Sequence, residues 1–328
     1  MKNKTPPFEI TNRMICDIAG IAELTGMITA SPQLFQSPIL RRTNRIRTIH
    51  SSLAIEQNTL TLEQVTAVIN GRKVIAPPKD IAEVKNAYEI YEHMSVLDPF
   101  SADDLLKAHD VMMRGLISDC GEFRLRPVGT ADSEGNIIHV GTLPQYVPGL
   151  IAELMEWTRD SEVHMLIKSC VFHYEFELIH PFSDGNGRVG RLWHTLLLTK
   201  WNEIFAWLPI ESMIHDRQSE YYEAINISNN MGESTAFIEF MLSSIKSSLI
   251  EAADVSDGMS HGNDNIHRLR KKLILGYLTS HEYITNADVR SICGVSASTA
   301  TRILTQLTAD GVLVRFSLHS HHAYMAAK

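Results

Sequence analysis

Twelve residues near the middle of the chain, HPFSDGNGRVGR from His180 to Arg191, combine a base, a carboxylate, glycines and two arginines. The apolar period of the segment that follows predicts a helix beginning near Gly187. The first backbone N–H groups of a helix lack internal partners and lie at the positive end of its dipole. Gly185 and Gly187 let the backbone approach a ligand closely. This stretch therefore predicts a site for an anion, most naturally a phosphate.

The charged residues of this stretch sharpen the prediction. Arg188 and Arg191 are three positions apart and share one face of the first helical turn. Positive charge there opposes the helix dipole and costs up to about 1 kcal/mol, a cost that a bound polyphosphate would reverse. Asp184 is a hard oxygen ligand of the kind that Mg2+ requires beside phosphates. His180 precedes the loop, where it could accept a proton from an attacking hydroxyl.

Each of these residues, taken singly, is more often a turn residue, a surface ion pair or a hydrogen-bonded histidine. Their coincidence favours a site, and the stretch resembles the full signature of the Fic family, HPFxDGNGRxxR, at every specified position. The resemblance implies transfer of AMP from ATP, the substrate, to a hydroxyl of a target protein. It implies that His180 is the general base and that Asp184 holds Mg2+.

The resemblance also implies which residues bind the nucleotide. Within the signature they are Asp184, Gly185, Asn186, Gly187, Arg188, Val189, Gly190 and Arg191. The loop residues 185–187 would hold the α- and β-phosphates, Arg188 the β-phosphate and Arg191 the γ-phosphate. Related phosphorylating enzymes, such as the Doc toxins, replace the second glycine, so the GNGR of this chain favours AMP transfer.

A second segment, SLAIEQN, resembles the inhibitory helix of the same family, (S/T)xxxE(G/N). Ser52 and Glu56 are four residues apart and share a helix face. The resemblance implies that Glu56 pairs with Arg191 and competes with the γ-phosphate for the same guanidinium. Gln57 stands where the pattern has Gly or Asn, and Asn58 follows, so how this helix terminates stays open.

The region Arg126 to Pro144 has two short runs of β character around the turn-forming DSEGN and predicts a β-hairpin. It resembles the family's flap, which follows a GxxR element, here GEFR. The flap would align a target segment by strand addition. The residues of the hairpin that would line the nucleotide are Val128, Gly129 and Thr130.

The segment SEYYEAINISNN resembles a later helix of the family, whose side chains meet the base and ribose. The matching positions are Tyr221, Tyr222 and Asn229. For Tyr221, a place in the hydrophobic core is nearly as good an interpretation.

Charge divides the chain. Residues 265–328 contain eight Lys or Arg and three Asp or Glu, whereas the remainder contains 22 and 35. The boundary falls in EAADVSDGMSHGNDN, whose Gly, Ser, Asp and Asn suit a linker. The predicted domains are an N-terminal helical region (1–105) with the inhibitory helix at about 41–58, a catalytic core (106–250), a linker (251–264) and a C-terminal domain (265–328).

Helical periods dominate before the linker, as in AEVKNAYEIYEHMSVL and YVPGLIAELMEWTRD. After it, three helical segments precede a strand, a turn and a strand, the outline of a winged helix-turn-helix. Asn286 and Ser296 are the expected caps of the second and third of these helices. The predicted fold class is mainly α: a Fic-type helical bundle with a β-hairpin flap, plus a C-terminal winged helix-turn-helix domain.

Composition bounds the possible functions. A chain of 328 residues is long enough for two or three domains. A net charge of -8 excludes a nucleic-acid binder by charge alone. Four scattered cysteines without a CxxC argue against a zinc site or a disulfide framework and predict a cytoplasmic protein. The absence of a signal peptide and of an apolar run of about 18 residues predicts no membrane span.

The leading hypothesis is a Mg2+-dependent protein adenylyltransferase, which is a nucleotidyltransferase. It would AMPylate a Ser, Thr or Tyr hydroxyl, either of a target protein docked on the flap or of itself. Glu56 would inhibit this activity. The same site could remove AMP instead. The alternative is a DNA-binding transcriptional regulator with a nucleotide-sensing Fic domain, favoured by the +5 balance of residues 265–328. Against it, the presumed recognition helix offers only Arg302 as a strong base reader. Protein docking by the winged helix and a homodimer stay open.

Overall fold

The structure is a computed structural model. It describes residues 5–30, 38–131, 137–140, 142–259, 264–279, 281–293, 295, 297–318 and 321–327. Over these residues the chain is mainly helical, which confirms the predicted fold class. It divides into two compact units. The first comprises Met1–Ala19 and Phe35–Leu242, and the second comprises Gly20–Leu34 and Ser243–Lys328.

Two long helices contribute residues to both units, namely α1 (Asn12–Thr29) and α11 (Thr235–Met259). The first unit also contains α2 (Pro38–Ile55), α3 (Leu62–Ile69), α4 (Pro78–Glu92), α5 (Ala102–Met113), α6 (Val147–Asp160), α7 (Met165–Ile179), α8 (Asn186–Trp201), α9 (Ile210–Asp216) and α10 (Gln218–Met231). Single 3₁₀ turns lie at Met94–Val96, Pro144–Tyr146 and Glu203–Trp207.

Helix α7 is the centre of the first unit. Its residues are apolar nearly all round, and side chains on every face of it are buried, among them Cys170, Phe172 and Phe176. A helix with no polar face must be enclosed by other elements. Helix α8 packs along it and, apart from Gly187, is buried from Asn186 to Leu198. The loop between α7 and α8, residues 180–185, therefore connects two buried helices.

The predicted hairpin is present. Strands β1 (Gly129–Ala131) and β2 (Ile137–Val140) pair antiparallel, with Gly129 opposite Val140 and an irregular register after Thr130. The predicted DSEGN turn, residues 132–136, lies outside the described residues.

The second unit contains the winged helix-turn-helix pattern. Its elements are α12 (Asp264–Leu278), β3 (Ile284–Thr285), α13 (Asn286–Cys293), α14 (Ala297–Ala309), β4 (Leu313–Leu318) and β5 (His321–Ala326), with strand order β3-β5-β4. Ile274, Val289, Ile303 and Leu307 belong to its apolar core. Strand β3 was not foreseen, because two residues carry no periodic signal.

One of the two predicted caps in this unit is wrong. Asn286 is the first residue of α13, and the Oγ1 of Thr285 accepts the hydrogen bond from the Asp288 N–H at 3.3 Å. The amide of Asn286 instead donates to the carbonyl oxygen of Ala297 at 3.1 Å. Ser296, the other predicted cap, lies outside the described residues.

The predicted linker, 251–264, differs from the structure over its first part, since α11 continues to Met259. Ile250 and Ala253 are buried and prolong the apolar face of α11, which the polar composition of the segment obscures. Residues 260–263 lie outside the described residues, and the predicted domain bounds remain predictions. None of the helices in the described ranges has the length and hydropathy needed to cross a bilayer.

Candidate active site

His180 terminates α7 in an uncommon backbone conformation. It is left-handed, with φ at 52°, which costs a residue with a side chain about 1–2 kcal/mol. Arg124 offsets this strain: its Nε donates to the carbonyl oxygen of His180 at 2.6 Å, and Nη2 donates to that of Ile179 at 3.2 Å. The same guanidinium donates to the carbonyl oxygens of Arg126 and Thr142. Arg124, the last residue of the GEFR element, thus fixes the backbone that carries His180.

The loop that follows is closed by Asn186. Its side-chain amide donates to the carbonyl oxygen of Phe182 and accepts from the Phe182 N–H, both at 2.9 Å. Because this side chain is buried and fully engaged, the phosphate contact predicted for Asn186 falls to its backbone N–H at the start of α8. Gly185 precedes it with φ at 84°, and a Cβ there would lie 2.6 Å from the Met113 sulfur. Glycine is therefore required at this position on two grounds.

His109 supports the loop from α5 and was missed by the sequence analysis. Its buried ring stacks on Phe182, with centroids 3.7 Å apart. Nδ1 accepts from the Gly121 N–H at 3.0 Å, so the Nε2–H donates to the carbonyl oxygen of Asp184, also at 3.0 Å. Burial lowers the pKa of His109, which keeps the ring neutral. A lone histidine in an amphipathic helix gives no signal of such a role.

Arg191 is held by the segment that the sequence predicted to be inhibitory. Its Nη2 donates to Glu56 Oε1 at 2.7 Å and to the carbonyl oxygen of Ser52 at 2.9 Å, while Nε donates to Ser52 Oγ at 3.1 Å. Burial acts to lower the pKa of Arg191, but the charge and hydrogen bond of Glu56, together with the charges of Tyr221 and Glu177, outweigh burial and raise that pKa above its usual value. The structure therefore brings together Ser52, Glu56 and Arg191.

The Glu56 carboxylate also packs against the first turn of α8. A Cβ at Gly187 would lie 2.2 Å from Glu56 Oε1. The unpartnered N–H groups at a helix start favour a negative group, and here the chain supplies its own. The position predicted to bind an anion is thus covered by a carboxylate of the same chain.

Helix α2 ends in a Schellman motif that spans residues 53–58 and so includes Glu56. The Asn58 N–H donates to the carbonyl oxygen of Leu53 at 3.1 Å and the Gln57 N–H to that of Ala54 at 3.0 Å. Gln57 takes the left-handed position, with φ at 66°, that glycine or asparagine usually takes. The sequence analysis left open how α2 ends. The helix ends in the common Schellman form, with Gln57 as a strained residue in it.

Arg188 lies between two carboxylates. Nη1 donates to Glu83 Oε1 and Nη2 to Asp184 Oδ1, each at 2.8 Å. Glu83, on α4, is almost completely buried and was not predicted. The sequence signal that could have identified Glu83 is its position next to Val84, among the residues that form the buried stripe of α4. Such a buried charge requires a partner.

Asp184 is the residue that the sequence predicts as a Mg2+ ligand. Its side chain is half-exposed, and Oδ1 accepts from the Gly185 N–H at 2.6 Å as well as from Arg188. Within the described part of the chain no three His, Cys, Asp or Glu side chains cluster as a closed metal site. Mg2+ is commonly held by one or two carboxylates together with substrate phosphates, so this donor fits it.

The tyrosine pair on α10 divides between core and surface. Tyr221 is buried, and its hydroxyl is 3.2 Å from Nε2 of His173, whereas Tyr222 is exposed. Asn229 Oδ1 accepts from the hydroxyl of Tyr174 at 3.0 Å. The structure thus gives Tyr221 a place in the core, the alternative that the sequence left open.

The remaining predicted residues differ in character. Val128 is half-buried, and the backbones of Gly129 and Thr130 belong to β1. Val189 is completely buried, so any ligand contact falls to its backbone. At Gly190 a Cβ would lie 3.0 Å from Glu177 Oε1, which makes it a position of close packing.

Two family models match the chain. Residues 99–198 match the Fic/DOC family, and residues 268–314 match a model described as winged helix-turn-helix DNA-binding. Among the curated relatives, the protein adenylyltransferase fic-1 of Caenorhabditis elegans is 29% identical over 206 residues, which is 59% of this chain and 38% of the relative. The protein adenylyltransferase Fic of Nematostella vectensis is 28% identical over 205 residues, 59% of this chain and 45% of the relative. The chain matches less than half the length of these relatives.

Solved structures give the same relationship. Residues 134–508 of Fic-1 from C. elegans superpose with a TM-score of 0.59 at 20% identity, over 76% of this chain and 73% of that one, which shows a shared fold. A Fic family protein from Desulfovibrio desulfuricans G20 is 38% identical, covers 98% of both chains and superposes with a TM-score of 0.74. On this extent of identity, and with the signature loop folded at the start of α8, the chain belongs to the Fic/DOC family.

Proposed function

We propose that this protein is a protein adenylyltransferase that transfers AMP from ATP to a hydroxyl side chain of a target protein, and that Glu56 holds it inactive. One observation carries the proposal. The Glu56 carboxylate packs on Gly187 and pairs with Arg191, so it takes the place of an anion at the start of α8. The names of the C. elegans and N. vectensis relatives support the choice of AMP transfer.

The proposed reaction is in-line attack at the α-phosphorus. The oxygen of the target hydroxyl bonds to that phosphorus, the bond to the oxygen bridging the α- and β-phosphates breaks, and pyrophosphate leaves. His180 takes the hydroxyl proton, a contribution typically worth about 10²- to 10⁴-fold in rate. The N–H groups of residues 186–188, with Arg188 and Arg191, stabilise the charge that develops on the phosphoryl oxygens. Arg124 keeps His180 in position for this step.

Asp184 is the residue that would hold Mg2+. The ion supplies positive charge that neutralises the phosphates when it is bound.

Inhibition follows from competition for Arg191. A guanidinium binds a carboxylate or a phosphate through the same N–H groups. While Glu56 holds Arg191, the γ-phosphate lacks its partner, and ATP binds only in an unproductive pose. The target segment would lie along the β1–β2 hairpin by strand addition, since within the described residues these two strands pair only with each other.

Incubation with ATP labelled at the α- or the γ-phosphate tests the proposal. With Mg2+, Glu56→Gly should label itself strongly from α-labelled ATP and not from γ-labelled ATP, while the wild type labels weakly. His180→Ala in the Glu56→Gly background should abolish labelling. Glu233→Gly, which alters another glutamate just beyond a helix end, is the matched control and should behave as the wild type. Transfer of the γ-label, or full labelling without His180, would exclude the proposed reaction.

The same site could also remove AMP, with Glu56 placing a water. The test is to purify labelled Glu56→Gly protein and incubate it with unlabelled wild type. Release of AMP that depends on Glu56 supports removal, and stable label excludes it.

DNA binding by the second unit is a second candidate function. The observation that favours it is the match of residues 268–314 to a DNA-binding winged helix model, together with exposed Arg290 and Arg302 on α13 and α14. The full chain should bind duplex DNA with an affinity that falls steeply as salt rises, and Arg302→Ala should weaken it. Binding that is absent at low salt would leave protein docking as the role of this unit.

A further inference from the structure

Asn58 is anchored more firmly than a residue in a turn requires. Its Nδ2 donates to Glu83 Oε2 at 2.8 Å and to the carbonyl oxygen of Asp80 at 3.2 Å. Its Oδ1 accepts from the Leu60 N–H at 3.1 Å. Both ends of the side chain are thus engaged, and α4 provides two of the three partners.

The next residue is held by the same helix. The N–H and the hydroxyl of Thr59 both donate to Asp80 Oδ2, at 3.1 and 2.5 Å. The N-terminal part of α4 therefore binds residues 58 and 59 by hydrogen bonds. These two residues directly follow the strained Gln57, which itself follows Glu56. A hydrogen bond to a charged group contributes more than one between neutral groups, so this attachment is strong for a surface turn.

Glu83 extends this attachment to Arg188, in the signature stretch His180–Arg191. Its Oε2 accepts from Asn58 and its Oε1 accepts from Arg188. The residues on either side of Gln57 therefore reach both arginines of the signature: Glu56 reaches Arg191 directly, and Asn58 reaches Arg188 through Glu83.

We propose that Asn58 is a positioning residue for the inhibitory carboxylate: held by Asp80 and Glu83, it keeps the turn after α2 in the form that places Glu56 on Arg191. The left-handed Gln57 makes this turn unfavourable by itself, so the attachment on its far side is what maintains it. Without Asn58 the turn opens more often, Glu56 leaves Arg191, and the site is released. This inference rests on the proposed function.

The test is self-labelling of the full chain from α-labelled ATP. Asn58→Ala should raise labelling about tenfold over wild type, the factor expected for about 1.4 kcal/mol of lost hydrogen bonding. In the Glu56→Gly background it should add nothing, because no carboxylate remains to be positioned. Asn58→Asp should raise labelling further, since it places a carboxylate against Glu83.

Asn86→Ala is the matched control. Asn86 is also half-buried, and its Nδ2 also donates two hydrogen bonds, here to the carbonyl oxygens of Met112 and Arg114. Its loss should lower stability by a similar amount without raising labelling. A rise equal to that of Asn58→Ala would reduce the effect to general loosening and overturn the proposal.

Hydrogen exchange provides a readout that does not depend on catalysis. The amides of Gln57 and Asn58, which close the Schellman motif, should exchange about tenfold faster in Asn58→Ala and at wild-type rates in Asn86→Ala. If Glu56→Gly itself is not labelled, the proposed function fails. Hydrogen exchange would then still test whether Asn58 holds the turn after α2. If Glu56→Gly is labelled and Asn58→Ala matches the wild type in both readouts, the anchor is refuted and the proposed function stands.

Discussion

Gln57 is the residue at which the inhibitory segment departs from its family pattern, and its conformation explains what the departure costs. It occupies the left-handed position of a Schellman motif without being glycine or asparagine. Gln57→Gly should therefore raise the free energy of unfolding by about 1 kcal/mol, measured by chemical denaturation. Self-labelling should stay as low as in the wild type, because Glu56 remains anchored. A loss of stability would show that Gln57 makes contacts that outweigh its strain.

Arg124 is the residue that fixes His180. Arg124→Lys keeps the charge but cannot supply the forked donors that reach several carbonyl oxygens at once. In the Glu56→Gly background, kcat for self-labelling should fall about tenfold or more, while the affinity for ATP changes little, since His180 and not the phosphate loop is displaced. A fall in ATP affinity with unchanged kcat would contradict the positioning role.

At the scale of elements, Arg191 on α8 makes hydrogen bonds to the C-terminal part of α2, and Ser52 accepts two of them. Ser52→Ala removes the Oγ acceptor of Arg191 Nε but leaves the carbonyl contact and Glu56 in place. Self-labelling should rise about two- to fivefold, less than in Glu56→Gly, because one hydrogen bond of three is lost. An effect as large as that of Glu56→Gly would mean that Ser52 and not Glu56 dominates the inhibition.

The sequence was informative about these elements where local signals are strong. The glycines and the apolar period of residues 180–201 placed the start of α8 within one residue, and two short runs of β character around DSEGN identified the hairpin. The sequence could not reveal His109, because a neutral core histidine is defined by partners far along the chain. For Glu83 it offered only a position in the buried stripe of α4 and not the identity of its partners. The extension of α11 to Met259 was missed for a related reason, since burial of its apolar face outweighs a polar composition.

At the scale of the whole molecule, buried histidines predict sensitivity to acid. Burial lowers the pKa of His109 and His173, and it lowers that of His194 to about 4. Such groups are neutral when folded but bind protons when unfolded, so their stabilisation is present above their ordinary pKa near 6.5 and is lost as the pH falls toward the folded value. Glu177, whose pKa burial raises to about 7, acts in the opposite direction.

A substitution of His194 measures how much one buried histidine contributes to the pH dependence of the free energy of unfolding. Nδ1 of His194 donates to the carbonyl oxygen of Ser169 at 3.0 Å, a bond that the amide of His194→Asn can replace. Between pH 7 and pH 4.5 the free energy of unfolding should fall by about 2–3 kcal/mol less in the variant than in the wild type, measured by urea denaturation with tryptophan fluorescence. Parallel pH profiles would show that His194 does not titrate on unfolding.

Calorimetric titration with nucleotide is the most direct test of the view that Glu56 occupies a triphosphate site at the start of α8. ATP should bind Glu56→Gly at least about tenfold more tightly than the wild type, because the carboxylate no longer competes for Arg191. Adding Arg191→Ala should remove that gain for ATP and leave AMP, which lacks the terminal phosphates, unaffected. No heat of binding to Glu56→Gly, or equal ATP affinity with and without Arg191, would contradict the account.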